Sequence, residues 1–259
     1  MRNLNPDLRA HVNALLDSYI VRFYAELPAA RHLHQAASVD LQLFTAHTTQ
    51  TILRIRLARM ADARAILLFA KSDPATAQKW AKYEEEEVLH DRLFLKDLQK
   101  LGVDAATVYG TEPFLATKLL QGYLYYTLEH EGPMGLIAKA YFLEYTSRAT
   151  QGEWNANVRR SLGADAVRGA DAHLNIDVGE DHASDVWNVL MTLVKTPADE
   201  ARLLAHLEHL FGLFGAYFDE LARHARAPLT TGPAQPALAV VRAAAGAATA
   251  ASGAEPGQA

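Results

Sequence analysis

The chain has 259 residues, is 50% hydrophobic, carries a formal net charge of −5 and contains no cysteine. That apolar content can fill a sizeable core, and interspersed charges with an acidic excess argue against a polyanion-binding protein, so no nucleic-acid partner is expected. Without cysteine there are no disulfides, thiolate zinc sites or cysteine nucleophiles, and any metal must rest on His, Asp and Glu. The opening "MRNLNPDLRAHV" lacks the apolar centre of a signal peptide, and no run approaches the roughly 20 apolar residues of a membrane span. A soluble, cytoplasmic protein with no membrane partner is the expectation.

The predicted elements are all helical. Pro6 opens the first helix, in "NPDLRAHVNALLDSYIVRFYAEL", where apolar residues recur at three-to-four spacing. A long second helix runs from about Val39 to Lys71. The third starts at Pro74 and continues to the stop "KLGVD". A fourth, beginning in "TEPFLATKLL", ends near Gly132; "MGLIAKAYFLEYTSRATQGEW" is the fifth. "DAVRGADAHLNIDVGEDHASDVWNVLMTLV" is the sixth, with Gly179 a candidate interruption, and the seventh is capped by Thr196 and Pro197. Nothing reads as a hairpin. The expected organisation is one all-α domain over residues 1–227, then a disordered Ala/Gly/Pro-rich tail over 228–259.

Three segments carry chemistry. In "YEEEEVLHD", Glu87 and His90 stand three apart, close enough on a helix to reach one ion, while Glu86 and His90 form the competing four-residue pair. Four adjacent side chains fan over about 300° of a helix, so the run must divide. Glu87 is expected inward, Glu84 on the flanking inward side, and Glu85 and Glu86 in solvent with Asp91 and Arg92. The second segment, "HLNIDVGEDH", holds His173, Asp177, Glu180 and His182. An unbroken helix aligns the first three, whereas unwinding at Gly179 returns His182 to Asp177. The third is Glu144, whose helical neighbours Ile137, Ala140 and Tyr141 place it near the core, where a carboxylate needs a cation or a metal. Read singly, these are a wet acidic face, a polar helix start and a salt-bridged Glu. Together, Glu87, His90, Glu144, His173, Asp177 and His182 make a complete oxygen and nitrogen set for two iron or manganese ions.

The order of these segments, E-x-x-H, then Glu144 in an aromatic context, then H-x-x-x-D with a later His, resembles the haem-oxygenase-like diiron oxidases. Their fold is shared with haem oxygenase, TenA proteins and the pyrroloquinoline-quinone synthase PqqC. The resemblance spans about Leu43 to Leu221 and implies a seven-helix bundle. It implies that the six residues hold two Fe(II) ions, or manganese in their place, with Glu144 between them. O2 would be co-substrate in the oxidation of a small carboxylate- or amine-bearing molecule, such as an amino acid or fatty acid, in a biosynthetic pathway. It also allows a homodimer. Two positions depart from the family pattern. Tyr83 stands where a Glu often lies seven before the His, so the shorter E-x-x-H applies. Glu180 occupies the usual last ligand place, with His182 two residues later.

Other readings stay open. A PqqC-like oxidase would use the same side chains without metal, and a non-enzymatic helical scaffold would leave the acid run solvated. His11 is the available proximal ligand for a haem. Tyr141 and Tyr145 are candidates for the pocket but fit ordinary core aromatics, and His206 and His209 read as helix-surface residues.

Overall fold

Aspartate and proline set where the helices begin. Asp40, Asp73 and Asp104 accept the amides of Leu43, Thr76 and Thr107 at 2.7, 3.1 and 2.9 Å, each supplying an acceptor to an unpaired first-turn donor. Pro28, Pro74 and Pro197 each stand in the first turn, where no amide is needed. A computed structural model describes residues 4–224, and of residues 176–180 the backbone alone. The residues expected to form the tail lie outside it.

In chain order the elements are α1 (Leu8–Glu26), α2 (Pro28–Gln35), α3 (Leu41–Ser72), α4 (Pro74–Glu87), α5 (Asp91–Lys100), α6 (Ala105–Gly110), α7 (Leu115–His130) and α8 (Met134–Leu162), then a 3-10 turn (Ala164–Val167), α9 (Arg168–Glu180), α10 (His182–Leu193) and α11 (Pro197–His224). No strand occurs among the described residues. The expected seven helices are eleven among the described residues, because two predicted helices break and two short ones are additional. The third splits at Val88–His90 and the sixth at Asp181, and the short α2 and α6 are additional. The interruption expected at Gly179 falls instead at Asp181, whose left-handed backbone (φ 50°, ψ 46°) an Asp tolerates better than most residues. No helix among the described residues is long and apolar enough to cross a membrane.

Two apolar clusters are threaded by the long helices α3 and α8. One, around Leu16, Trp80, Tyr141, Phe142 and Leu207, joins α1, α4, α7, α10 and α11. The other, around Leu33, Phe44, Leu98, Val158 and Val167, joins α2, α5 and the 3-10 turn. Each buried Leu or Phe contributes about 1.5–3 kcal/mol. The buried face of α3 becomes small where it passes Ala58, Ala61 and Ala65.

A close helix contact brings α9 onto α5. Asp97 on α5 accepts the Gly169 and Ala170 amides at 2.6 and 2.9 Å, capping α9 from a neighbouring helix. A Cβ at Gly169 would lie 1.9 Å from the Leu93 carbonyl oxygen, so glycine is what permits this approach. Gly169→Ala is therefore expected to destabilise the fold by about 3 kcal/mol. The exposed Gly122, with nothing within 4 Å of its Cβ position, should gain about 0.5–1 kcal/mol as Ala. Denaturant unfolding of the two variants checks the contrast; equal effects would refute the close-packing account.

Candidate metal centre

The break between α4 and α5 builds the first half of the site. The His90 amide bonds the Glu87 carbonyl at 3.1 Å, an i to i+3 bond that tightens the chain to about three residues per turn. In that geometry side chains three apart eclipse, and Glu87 Oε2 meets His90 Nδ1 at 2.9 Å. The Val88 carbonyl accepts Arg59 Nε at 2.9 Å. Asp91, expected in solvent, is only 1% exposed and pairs with Arg59 and Arg56 at 2.5 and 3.4 Å. It also places a negative charge at the first turn of α5.

The remaining side chains arrive from α8, α9 and α10. His173 on α9 packs against His90 with ring centroids 4.5 Å apart. One ligand atom each from Glu87, His90 and His173 lie within 4.8 Å of one another, and so do one each from Glu87, Glu144 and His182. Glu87 is the member common to both groups. Its Oε2 faces His90, and its Oε1 lies 3.2 Å from His182 Nδ1. Glu144, expected between two ions, stands in the second group alone. Of the six residues named from sequence, five are brought together; the Asp177 side chain, and that of Glu180, lie outside the described residues.

Glu86 departs from expectation. Its side chain is 29% exposed and reaches His182 Nε2 at 2.7 Å, so it neither faces solvent nor pairs with His90. A carboxylate on Nε2 orients the other ring nitrogen, Nδ1, toward Glu87, which is how a carboxylate orients a metal-binding imidazole. Tyr83 takes a similar role at Glu144: its hydroxyl donates to Oε1 at 2.6 Å, and its ring stacks on Trp80 at 4.9 Å. Burial, then the charge of Glu144, raises the Tyr83 phenol well above its usual range, so it remains a donor. Nothing in the run of residues around it announced that partner.

Electrostatics divides the acid run. Burial alone would push Glu87 up, but its interactions with His182 and His90 and the His173 charge outweigh it and leave the carboxyl at about 2. Burial, reinforced by Asp62, pushes Glu84 well up, while Lys139 opposes the shift. Burial thus raises Glu84 where the imidazoles lower Glu87, and the two carboxyls of one run move in opposite directions. Glu87 Oε1 is buried with no hydrogen bond among the described residues. An oxygen so placed, beside imidazoles and a second carboxylate, fits a divalent iron or manganese ion.

A cavity of about 280 Å³ adjoins these groups. It runs from Glu87, Glu144 and His173 past Ala58 and Leu143 to His34, His47 and Arg54. Tyr141 and Tyr145 stand outside its lining; their hydroxyls donate to Asn13 and Asp17 on α1 at 2.6 and 2.8 Å. His11 is exposed on α1. His206, read as a surface residue, is buried and meets the Tyr123 hydroxyl at 2.6 Å, whereas His209 is exposed as expected.

Burial lowers two of the imidazoles that line the cavity. His34, whose Nδ1–H donates to the Ala30 carbonyl at 2.9 Å, falls from 6.5 to about 4. His47 falls well below 6.5, through burial first and then the Arg54 charge. Both are neutral in the fold, and the unfolded chain binds their protons first as pH drops. Their contribution to stability is complete above about pH 6.5 and is lost on acidification toward pH 4. Thermal midpoints across that window should fall less steeply for His34→Gln than for the unaltered chain; identical slopes would contradict the neutral assignment.

The bundle has the haem-oxygenase-like architecture. A domain of unknown function with that fold from Shewanella denitrificans matches with a TM-score of 0.71 at 20% identity, covering 90% of this chain and 99% of its own. A CADD-like protein of unknown function from Nostoc punctiforme matches at 0.67 and 18% identity, over 85% and 97%. A TenA homologue from Pseudomonas syringae pv. tomato matches at 0.64 and 11%, over 84% and 93%. At these identities the likeness is one of fold. A family model described as "iron-containing redox enzyme" matches residues 59–211, more than half of the chain, and the protein belongs to that family. No curated protein matches it.

Proposed function

We propose that this chain is a non-haem diiron oxidase or oxygenase that uses O2 to oxidise a small carboxylate- or amine-bearing molecule. The observation that carries the reading is Glu87, whose two oxygens address two separate carboxylate–imidazole groups, the disposition of a carboxylate shared by two ions. His90 and His173 would complete one site with Glu87; Glu144 and His182 would complete the other. Bound iron supplies the electrons for O2 activation, with manganese the alternative ion.

The chain's own groups do the rest. Glu86 fixes the His182 ring, and the Tyr83 hydroxyl fixes the Glu144 carboxyl. Glu84, raised by burial and by Asp62, stands at the cavity wall beside Lys139. The cavity, lined by Phe142, Leu143 and Leu120, excludes bulk water from a substrate lying against Glu87 and Glu144.

Anaerobic Fe(II) titration tests the reading. The unaltered chain should take up two ions, His90→Ala and Glu144→Ala should each lose one, and Glu87→Gln should weaken both. Glu86→Gln should weaken one site by about 10- to 100-fold through His182. Rapid mixing of the loaded protein with O2 against amino acids and fatty acids then seeks the substrate. No Fe(II) uptake would sink the proposal in favour of a metal-independent oxidase on the same fold.

A further inference from the structure

Among the basic side chains of the cavity, Arg54 stands apart by its partners. Its neighbours on α3, Arg56 and Arg59, both reach Asp91. Arg54 meets no carboxylate among the described residues. Its Nη2 donates to Thr51 Oγ1 at 2.9 Å, and its guanidinium lies 4.3 Å from the Tyr217 ring centroid and 5.7 Å from that of Phe214. Nη1 is buried with no hydrogen bond among the described residues. A buried cationic donor without an acceptor is destabilising, and a guanidinium against an aromatic face is already oriented to receive a planar anion.

Register places this group away from the metal centre. Arg59 Nε bonds the Val88 carbonyl, so Glu87 lies level with about Ala58 on α3. The Arg54 guanidinium, bonded to Thr51, lies about two turns back, or about 10 Å along the helix axis. The lining includes the apolar Ile55, Ala58 and Phe142 together with the polar Ser147, Thr150 and Gln151. At the far level, His47 Nδ1 is engaged by the Tyr217 hydroxyl at 2.9 Å, which leaves Arg54 to meet an anion. The acidic side chains of the cavity, Asp62, Glu84, Glu87 and Glu144, lie toward the other end and would repel one.

We propose that Arg54 anchors the carboxylate of the substrate, which is a carboxylic acid with an apolar body whose far end faces Glu87 and Glu144. The anion site stands on Arg54 and the cavity; only the identity of the reacting end rests on the diiron reading above. The pose sets the acid group about 10 Å from the level of Glu87, so oxidation falls on the apolar body and not on the carboxyl carbon.

Octanoate, octylamine and octanol are the probes, titrated calorimetrically into the metal-free full chain. Octanoate should bind at least tenfold more tightly than either of the others. Arg54→Gln should weaken octanoate at least tenfold and leave octanol unchanged, with far-UV dichroism intact, and Arg54→Lys should recover part of the loss. Equal octanoate binding by Arg54→Gln and the unaltered chain would overturn the proposal, as would no octanoate uptake by the unaltered chain. Should Arg54→Gln fail to fold, the three probes on the unaltered chain decide: octylamine or octanol matching octanoate overturns it. Fe(II) titration of the same preparations separates the two ideas. Octanoate binding without Fe(II) uptake sustains the anion site and sinks the metal reading; Fe(II) uptake without octanoate binding does the reverse.

Discussion

The junction of α4 and α5 releases the Val88 carbonyl from its helical partner, and Arg59 on α3 takes it at 2.9 Å while gripping Asp91 at 2.5 Å. That one guanidinium stabilises a tight turn which would otherwise leave a carbonyl unpaired. The turn in turn eclipses Glu87 and His90, which an undistorted α-helix would splay by about 60°. Everything else at the centre is arranged around the pair. α9 reaches His90 because Gly169 permits contact with the α5 backbone, and α10 delivers His182 after the left-handed Asp181. Loss of the Arg59 clamp would not empty the core, but it would rotate the ligands out of register.

A second constraint is the density of buried acid. Asp62, Glu84, Glu87 and Glu144 all line the cavity, with Lys139 and Arg59 among its basic residues. Four ionised carboxylates in that space could not coexist without cations. The chain resolves the conflict by moving the groups in opposite directions: burial and Asp62 raise Glu84, and the imidazoles around Glu87 lower it. Such a division leaves a concentrated negative charge at one point, which is where membership of an iron-containing redox family gives it a use.

What the sequence made legible was local. Glu87 and His90 are three apart, and three-residue spacing has a fixed meaning on a helix, so that pair and its inward face were readable. Glu144 was readable because apolar neighbours surround it at helical intervals. The partnership of Glu86 with His182 was not, because the two are 96 residues apart and only the packing of α10 on α4 joins them. The helix count went astray for a related reason. "EEVLHDR" contains neither glycine nor proline, and the break within it is held by an arginine on another helix. Likewise His206 looked peripheral until the Tyr123 hydroxyl, arriving from α7, covered it.

Ala58 lies one turn from Arg54 and one from Asp62 on the cavity face of α3. Its methyl group is among the smallest side chains that line the cavity. A leucine there would touch neither ligand nor guanidinium, yet it would act as a stop partway along the channel. Related bundles could therefore gauge molecules of different length by exchanging one residue on a helix that carries none of the metal-binding groups. In such a fold the measure of the substrate and the chemistry done on it can change independently.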